Sequence, residues 1–249
     1  MNLENVIAER INKKVYLDGD KVIKLFDESF SKADVLNEAL NHARVENSGV
    51  NVPELFEVTT IEGKWAIVSQ YIEGDNLADL IAKNPEKYDK YMELFVNLQL
   101  EIQSKSAPLL SLLKDKMNRK IDLTELDETT KYDLKTRLES MPNHQKLCHG
   151  DFVPSNVIIT SDGTPFVIDW AHATQGNASA DAARTYLMFC LKGNVAGAEK
   201  YLELFCSKSG NNKKYVQSWM PIVAASQSVK KKQQEKEILL SWVNVVDYE

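Results

Sequence analysis

Four polar side chains whose types suit catalysis lie within the segment LCHGDFVPSNVIITSDGTPFVIDW, which also contains two runs that are typical of buried strands. They are His149, Asp151, Asn156 and Asp169. Asp151 falls in an apparent loop, and loops on rigid scaffolds usually carry the reacting groups of a site. A carboxylate at this position could accept a proton from a hydroxyl group.

The positions of the last two polar residues suggest a metal site. Asn156 precedes a predicted strand over residues 157–160, and Asp169 follows a second one over residues 166–168. If these strands pair antiparallel, the two side chains come to the same end of the hairpin. An amide oxygen beside a carboxylate suits Mg²⁺, which prefers a few protein oxygens plus phosphates. The pattern therefore predicts Asn156 and Asp169 as magnesium ligands.

The D-x-x-x-x-N spacing, followed by an Asp at the end of a strand, is that of the protein-kinase catalytic loop. Phosphoryl transfer needs positioning, charge neutralisation by metal and a carboxylate that orients the attacking hydroxyl. The strings HGDFVPSN and IDW together resemble the aminoglycoside phosphotransferase and choline kinase group, the small-molecule branch of the kinase-like fold. GNASADAAR resembles the segment that follows the metal-binding Asp in that group, with Asp181 as a structural anchor.

The resemblance implies an α+β, two-lobed protein-kinase-like fold. Its N-lobe would be a small antiparallel β-sheet with one helix, and its larger C-lobe would be mainly helical. The joint at Glu73-Gly74 predicts a nucleotide-binding lobe over residues 1–73 and a catalytic and substrate-binding lobe over residues 74–249. In the resembled group Asp151 would be the catalytic residue, and His149 would brace the loop by hydrogen bonding.

The resemblance also implies the residues that bind the nucleotide. Lys24, in KVIKLF, falls where the family places its phosphate lysine, although a solvated strand lysine is the alternative. Glu38, in the following helix, resembles its usual carboxylate partner. Gln70 and Ile72, at the joint, would offer backbone groups to the purine of ATP or GTP. The loop AERINKKVY lacks the glycines with which kinases approach phosphate.

The elements that must position these residues follow from local patterns. Two hairpins are predicted, turning at Asp18-Gly19-Asp20 and at Glu62-Gly63. Between them a helix from Ser31 or Lys32 to about Asn47 is expected to bury an apolar face. That face comprises Val35, Leu36, Ala39, Leu40 and Ala43.

From Asp75 onward the pattern is mainly helical. One helix is expected to have an apolar stripe of Tyr88, Met92, Phe95, Leu98 and Ile102, and another is capped by Asp127. After the polar hairpin, helices resume at about Ala180, with Pro221 as a kink or boundary.

Composition excludes several classes of protein. The chain has 249 residues, of which 43% are hydrophobic and 27% charged, as in ordinary globular proteins. A net charge of −6 disfavours nucleic-acid binding, and no apolar stretch is long enough to span a membrane. The start of the chain does not resemble a signal peptide, and the three cysteines are widely spaced. We therefore expect a reducing, cytoplasmic setting.

The leading hypothesis is a Mg²⁺- and ATP(or GTP)-dependent O-phosphotransferase that acts on a hydroxyl of a small molecule, possibly a cationic one. Aminoglycosides, choline-like amines, sugars and amino-alcohols all remain open as acceptors. Asp247 and Glu249 could supply negative charge to an acceptor pocket, but an acidic tail is more often merely solvated.

Three other interpretations compete with this one. The glycine-free loop is compatible with a catalytically inactive, kinase-like nucleotide-binding or regulatory protein. His149, Asp151 and His172 could be metal-hydrolase ligands, but no further His/Asp cluster has ligand spacing. A protein kinase proper is disfavoured because the A-P-E motif and an activation segment are missing.

Overall fold

The computed structural model describes residues 2–10, 12–229 and 231–243. These residues form two compact units. The first unit comprises the chain up to Asn84 together with Pro154–His172, and the second comprises Pro85–Val153 and the chain from Ala173 onward. The functional division at residue 73 stays a prediction, and Asp247 and Glu249 lie outside the described residues.

Strands and helices occur in runs along the described chain rather than in strict alternation. The strands are β1 Val6–Arg10, β2 Lys13–Asp18, β3 Lys21–Phe26, β4 Leu55–Ile61, β5 Lys64–Gln70, β6 Asp75–Asn76, β7 Lys146–Cys148, β8 Val157–Ile159, β9 Pro165–Val167 and β10 Thr174–Gly176. The α-helices are α1 Lys32–Glu46, α2 Leu77–Lys83, α3 Tyr88–Ser104, α4 Leu113–Asp122, α5 Glu128–Ser140, α6 Ala178–Leu191, α7 Val195–Ser209, α8 Lys213–Ser218, α9 Met220–Ser228 and α10 Gln233–Ser241.

The first unit is built on a five-stranded antiparallel sheet in the order β1-β2-β3-β5-β4. Both predicted hairpins are present, and Glu62 and Gly63 have the two positive φ angles, 51° and 78°, that a tight hairpin turn requires. β1 was not predicted. Its Val6 and Ile7 are both 45% exposed, so this edge strand lacks the alternation that marks a half-buried one.

Helix α1 begins after Ser31, whose side chain accepts a hydrogen bond from the Asp34 N–H. The helix buries Val35 and Ala39, as predicted, but Leu36 and Leu40 are exposed. The prediction was wrong for Leu36 and Leu40 because apolar residues lie on both sides of the helix face that carries Val35 and Ala39. The helix turns the other side inward, where Asn41 donates a hydrogen bond of 3.1 Å to the Ala171 carbonyl.

A second, three-stranded sheet of the first unit holds the polar hairpin. Its order is β6-β8-β9, and β8 pairs antiparallel with β9 as expected, one residue away from the predicted bounds at three of the four strand ends. Gly74 approaches this sheet so closely that a Cβ there would lie 2.4 Å from the Ile159 carbonyl oxygen. The joint glycine is therefore required by close packing rather than by its φ angle.

The second unit is mainly helical and has its own core. α3 buries the predicted stripe except for Tyr88, which is partly exposed in the first turn. Phe95 stacks on Phe152 with ring centroids 4.4 Å apart. β7 pairs with β10, a pairing that was not predicted. α5 begins after its Asp127 cap and Pro221 lies in the first turn of α9, both as predicted. None of the described helices combines the length and the hydropathy that a membrane crossing would need.

Candidate active site

A cavity of about 360 Å³ in the first unit collects the predicted nucleotide and metal residues. Its lining includes Lys24, Glu38, Gln70, Ile72, Asn156 and Asp169. Apolar side chains such as Val22 and Ile67 form other parts of the wall. The remaining predicted residue, Asp151, belongs to the second unit. One cavity thus has both the apolar surface that a base needs and the charges that phosphates need.

Lys24 is oriented by the alternation of strand β3. Its neighbours Ile23 and Leu25 point into an apolar cluster on one face of the sheet. Lys24 therefore shares the opposite face with Phe26, which packs against α1. On that face Lys24 Nζ donates a hydrogen bond of 2.6 Å to Glu38 Oε1, the partner that the resemblance implies.

Lys24 also contacts Asp169, with 3.2 Å between Nζ and Oδ1. Burial alone would lower the pKa of Lys24, but the Asp169 and Glu38 carboxylates outweigh it and raise the pKa above its usual value. The lysine is therefore charged at every physiological pH. It can serve as a fixed cation for phosphate.

Lys13 is a charged residue of this cavity that the sequence analysis missed. In β2 it lies opposite Phe26 of β3, so its side chain is on the same face as Lys24. Its Nζ is 3.9 Å from Asp169 Oδ2, and it lines the cavity. The signal was available in the alternation of β2, because Lys13 stands two residues before Val15, which pairs with Lys24.

The β8–β9 hairpin brings Asn156 and Asp169 to one end of the strands. Ile168 N–H donates to the Asn156 carbonyl at 3.0 Å, so the residue before Asp169 is held against Asn156. Asn156 is buried and Asp169 partly exposed, and both line the cavity. Asp169 has a φ of 65°, a left-handed conformation that non-glycine residues seldom adopt and that clusters at functional sites.

Helix α6 holds the Asp151 loop in the second unit. Asp181 Oδ1 accepts a hydrogen bond of 2.8 Å from the Gly150 N–H, which is the anchoring role that the resemblance implies. Thr185 Oγ1 donates one of 3.0 Å to the Phe152 carbonyl. Between these two bonds Arg184 Nη2 lies 3.8 Å from Asp151 Oδ1, a neighbour that the sequence analysis missed.

His149 is fully buried beneath the same loop, and its Nδ1 accepts a hydrogen bond of 3.1 Å from the Asp151 N–H. This contact fits the bracing role implied for it. Within the described part of the chain, no group of three or more His, Cys, Asp or Glu side chains is arranged to hold a metal ion. The metal-hydrolase interpretation therefore gains no support.

The joint after β5 supplies backbone groups to the cavity wall. The N–H of Gln70 donates to Glu54 O and that of Tyr71 donates to Asp20 O, each at 2.8 Å. These two N–H groups are occupied by the sheet. Ile72 follows outside the strand and lines the cavity, so its N–H is the next backbone donor along the joint.

Comparison with known proteins identifies the family. Residues 5–213 match the model of the phosphotransferase enzyme family, whereas a search of curated proteins finds no significant match.

Solved structures with the same fold include three small-molecule kinases of low sequence identity. An apo thermostable mutant of aminoglycoside phosphotransferase APH(4)-Ia is 17% identical with a TM-score of 0.70, covering 96% of this chain and 92% of that one. Choline kinase LicA from Streptococcus pneumoniae is 14% identical with a TM-score of 0.67, covering 98% and 93%. A choline/ethanolamine kinase family protein from Mesorhizobium loti is 14% identical with a TM-score of 0.62, covering 97% and 86%.

The family match spans most of the chain, and the structural matches extend over nearly all of it. They confirm the predicted kinase-like fold and the enzyme class, a small-molecule kinase. The chain therefore belongs to the phosphotransferase enzyme family.

Proposed function

We propose that this protein is a Mg²⁺- and ATP-dependent O-phosphotransferase that acts on a hydroxyl of a small molecule, with GTP as a possible second donor. The observation that carries the proposal is the ion network of Lys24 with Glu38 and Asp169 in a cavity that Asn156 also lines. Partly buried charges held together in a cavity are typical of a functional site.

The base of the nucleotide is proposed to lie against the joint after β5. Ile72 N–H and the Gln70 carbonyl would bond the purine edge, and apolar residues such as Val22 and Ile67 would cover its faces. Support comes from relatives of the same fold, since APH(4)-Ia has been solved with AMP-PNP and hygromycin B, and aminoglycoside 2′-phosphotransferase IIIa with GDP.

The phosphates are proposed to bind at the charged part of the cavity. Lys24, held by Glu38, would contact the α- and β-phosphates. The β1–β2 segment has no glycine to bring backbone N–H groups to phosphate, and Lys13 at the start of β2 lines the same cavity. We propose Lys13 as a second phosphate-binding cation that compensates for the missing glycines.

Asn156 and Asp169 suit magnesium because they bring an amide oxygen and a carboxylate to one cavity, and such oxygen ligands are the ones that the ion prefers. When bound there, the ion would neutralise charge on the phosphates. The left-handed backbone of Asp169 fits a residue whose position is fixed for a ligand. Both residues are proposed as the metal ligands.

Asp151 is proposed to accept the proton of the acceptor hydroxyl. The acceptor oxygen would form a bond to the terminal phosphorus, the bond from that phosphorus to the bridging oxygen would break, and ADP would leave. The hydroxyl proton would pass to the Asp151 carboxylate. Its loop is fastened to α6 on both sides, which limits motion of the carboxylate. We propose a cytoplasmic location, where ATP is available and cysteines stay reduced.

The test is to measure binding and turnover separately. Thermal shift with AMP-PNP should depend on Mg²⁺ in the wild type. Asp169→Ala should lose the Mg²⁺-dependent part of the shift, whereas Asp151→Ala should keep it and lose ADP formation with a panel of alcohol and aminoglycoside acceptors. No shift with any nucleotide would reject the kinase and favour the inactive regulatory protein. Normal turnover by Asp151→Ala would reject the base assignment.

A further inference from the structure

Helix α3 turns one line of side chains toward the loop that carries Asp151. Phe95, Gln99 and Gln103 follow one another at intervals of four residues, so they lie on one face of the helix. Phe95 stacks on the ring of Phe152 in the loop. Both glutamines are buried, Gln99 completely. A buried amide is costly unless its polar atoms are bonded, so the partners of these glutamines indicate what they do.

Gln99 bonds both of the α6 side chains that anchor the loop. Its Nε2 donates to Asp181 Oδ2 at 3.3 Å and to Thr185 Oγ1 at 3.4 Å. Asp181 in turn holds the residue before Asp151, and Thr185 holds the residue after it. One buried amide on α3 therefore supports the two anchors, Asp181 and Thr185, on both sides of the proposed catalytic carboxylate.

Gln103 supports one anchor rather than two. Its Nε2 donates to Asp181 Oδ2, also at 3.3 Å, but its second hydrogen bond goes to the carbonyl of Ala178 at the start of α6. The two glutamines thus differ in what they connect, although they lie one turn apart. Gln99 is the residue of this pair that joins the two anchors.

The direction of the hydrogen bonds around Gln99 follows from the chemistry of its neighbours. The Phe152 carbonyl can only accept, so Thr185 Oγ1 donates to it and accepts from Gln99. Tyr201 of α7 donates its O–H to Gln99 Oε1, which turns the amide nitrogen toward Asp181 and Thr185. Burial and the charge of Asp181 raise the pKa of Tyr201 well above its ordinary value, so the phenol keeps the proton that it donates.

We infer that Gln99, oriented by Tyr201, is a positioning residue for phosphoryl transfer, because it holds both anchors of the loop and through them the Asp151 carboxylate. The inference rests on the proposed function, which gives Asp151 its role. A glutamine suits this position because its nitrogen offers two hydrogens and its oxygen accepts one from the phenol. An ionised carboxylate there would repel Asp181, and an ammonium could not accept from Tyr201.

A role in packing alone explains the group less well. The surroundings of Gln99 are rich in aromatic rings, since Tyr201 stacks on Phe189 and on Phe205. Apolar side chains of similar size could fill this volume without buried groups that must all be satisfied together. Instead, the nitrogen of Gln99 bonds the two anchors, and its oxygen receives the bond that orients the amide.

The experiment compares Gln99→Met with Gln175→Met as the matched control. Gln175 is also a buried glutamine of the second unit whose Nε2 makes two hydrogen bonds, but these go to the carbonyls of Pro108 and Leu110. Two quantities are measured, ADP formation from Mg–ATP with water as the acceptor and hydrogen exchange of the Gly150 N–H by NMR.

Gln99→Met should lower kcat about 10- to 100-fold, the effect of moving a reacting group by about 1 Å. It should leave KM for ATP unchanged, because the nucleotide cavity belongs to the first unit. The Gly150 N–H should exchange faster, because the Asp181 carboxylate that accepts it is no longer held by Gln99. Gln175→Met should keep the wild-type kcat and Gly150 exchange, even if it is less stable.

Gln99→Glu adds a readout that packing would not change. The introduced carboxyl lies beside Asp181, and both burial and the like charge raise the pKa of such a group. Below that pKa its O–H can donate to Asp181, whereas above it the two carboxylates repel each other. Relative to the wild type, kcat should therefore fall as the pH rises from about 6 to 9. A pH profile of the wild-type shape would contradict the inference.

Tyr201→Phe decides the case if Gln99→Met does not fold. This variant keeps the stacked ring and removes the O–H that orients the amide, so it should also lower kcat and speed Gly150 exchange. Wild-type protein that neither binds AMP-PNP nor forms ADP would reject the proposed function, and Gly150 exchange would then decide alone whether Gln99 holds the loop. With an active wild type, an unchanged kcat in Gln99→Met, or an equal loss in Gln175→Met, would overturn the inference.

Discussion

The role proposed for Lys13 can be tested against its immediate neighbour in the sequence. Lys13→Met removes the ammonium that lines the cavity and keeps most of the aliphatic chain. Lys14→Met is the matched control, because Lys14 lies opposite Leu25 and so points to the other face of the sheet. There it pairs with Glu9 at 2.8 Å and is half exposed.

The magnitudes differ between stability and binding. The Lys13–Asp169 contact is long, 3.9 Å, and its side chains are 22% and 30% exposed, so its loss should lower the free energy of unfolding by about 1 kcal/mol or less. A hydrogen bond between an ammonium and a phosphate contributes about 1.5–3 kcal/mol. Losing it should weaken triphosphate binding about 10- to 150-fold.

The assay is calorimetric titration of Mg–AMP-PNP and of adenosine into the wild type and both variants. Lys13→Met should lose affinity for Mg–AMP-PNP and keep its affinity for adenosine, which has no phosphate. Lys14→Met should match the wild type with both ligands. Unchanged Mg–AMP-PNP affinity in Lys13→Met would refute the reasoning, and an equal loss for adenosine would locate the effect in the base site instead.

Three further changes address the ion network, the α4 lysine and the joint. Glu38→Gln should lower kcat/KM for ATP about 10- to 150-fold, because Lys24 loses its charge-assisted partner. Steady-state kinetics measures kcat/KM, and a wild-type value would exclude the Lys24–Glu38 pair from phosphate binding. In the wild type the folded-state pKa of Lys116 is lowered, chiefly by burial, from 10.5 to about 7. The charged lysine therefore destabilises the folded state most below pH 7, and this destabilisation fades as the pH rises toward 10.5. Lys116→Met should therefore raise the free energy of unfolding in urea more at pH 6 than at pH 9, and an equal gain at both would contradict the shift. Gly74→Ala should destabilise the protein by about 1–3 kcal/mol, because the Cβ of the alanine would meet the Ile159 carbonyl. Urea unfolding measures this loss, and an unchanged free energy of unfolding would show that the joint can move.

Local signals in the sequence predicted much of the first unit. Turn chemistry located both hairpins, and the helical spacing of apolar residues located α1 to within a residue at each end. The apolar pattern did not predict which face of α1 is buried, since Leu36 and Leu40 are as apolar as the residues that the helix buries. Which side of a helix faces the sheet depends on partners that are distant in the sequence, here Ala171 bonding Asn41.

The candidate site was likewise predicted in part by local signals and in part not. Lys24, Glu38, Asn156 and Asp169 were found because motif spacing fixes their types and order, and the first unit brings their side chains to one cavity. Lys13 was missed because a lysine in a strand is ordinarily solvated. Only the register of β2 on β3 shows that it shares a face with Lys24.

Arg184 illustrates why charge near a catalytic residue is hard to predict from sequence. The ADAAR string predicts Asp181 as an anchor, but the string alone does not show what the next turn of the helix faces. Once Asp181 holds Gly150 and Thr185 holds Phe152, residue 184 must face the residue between them, whatever its type.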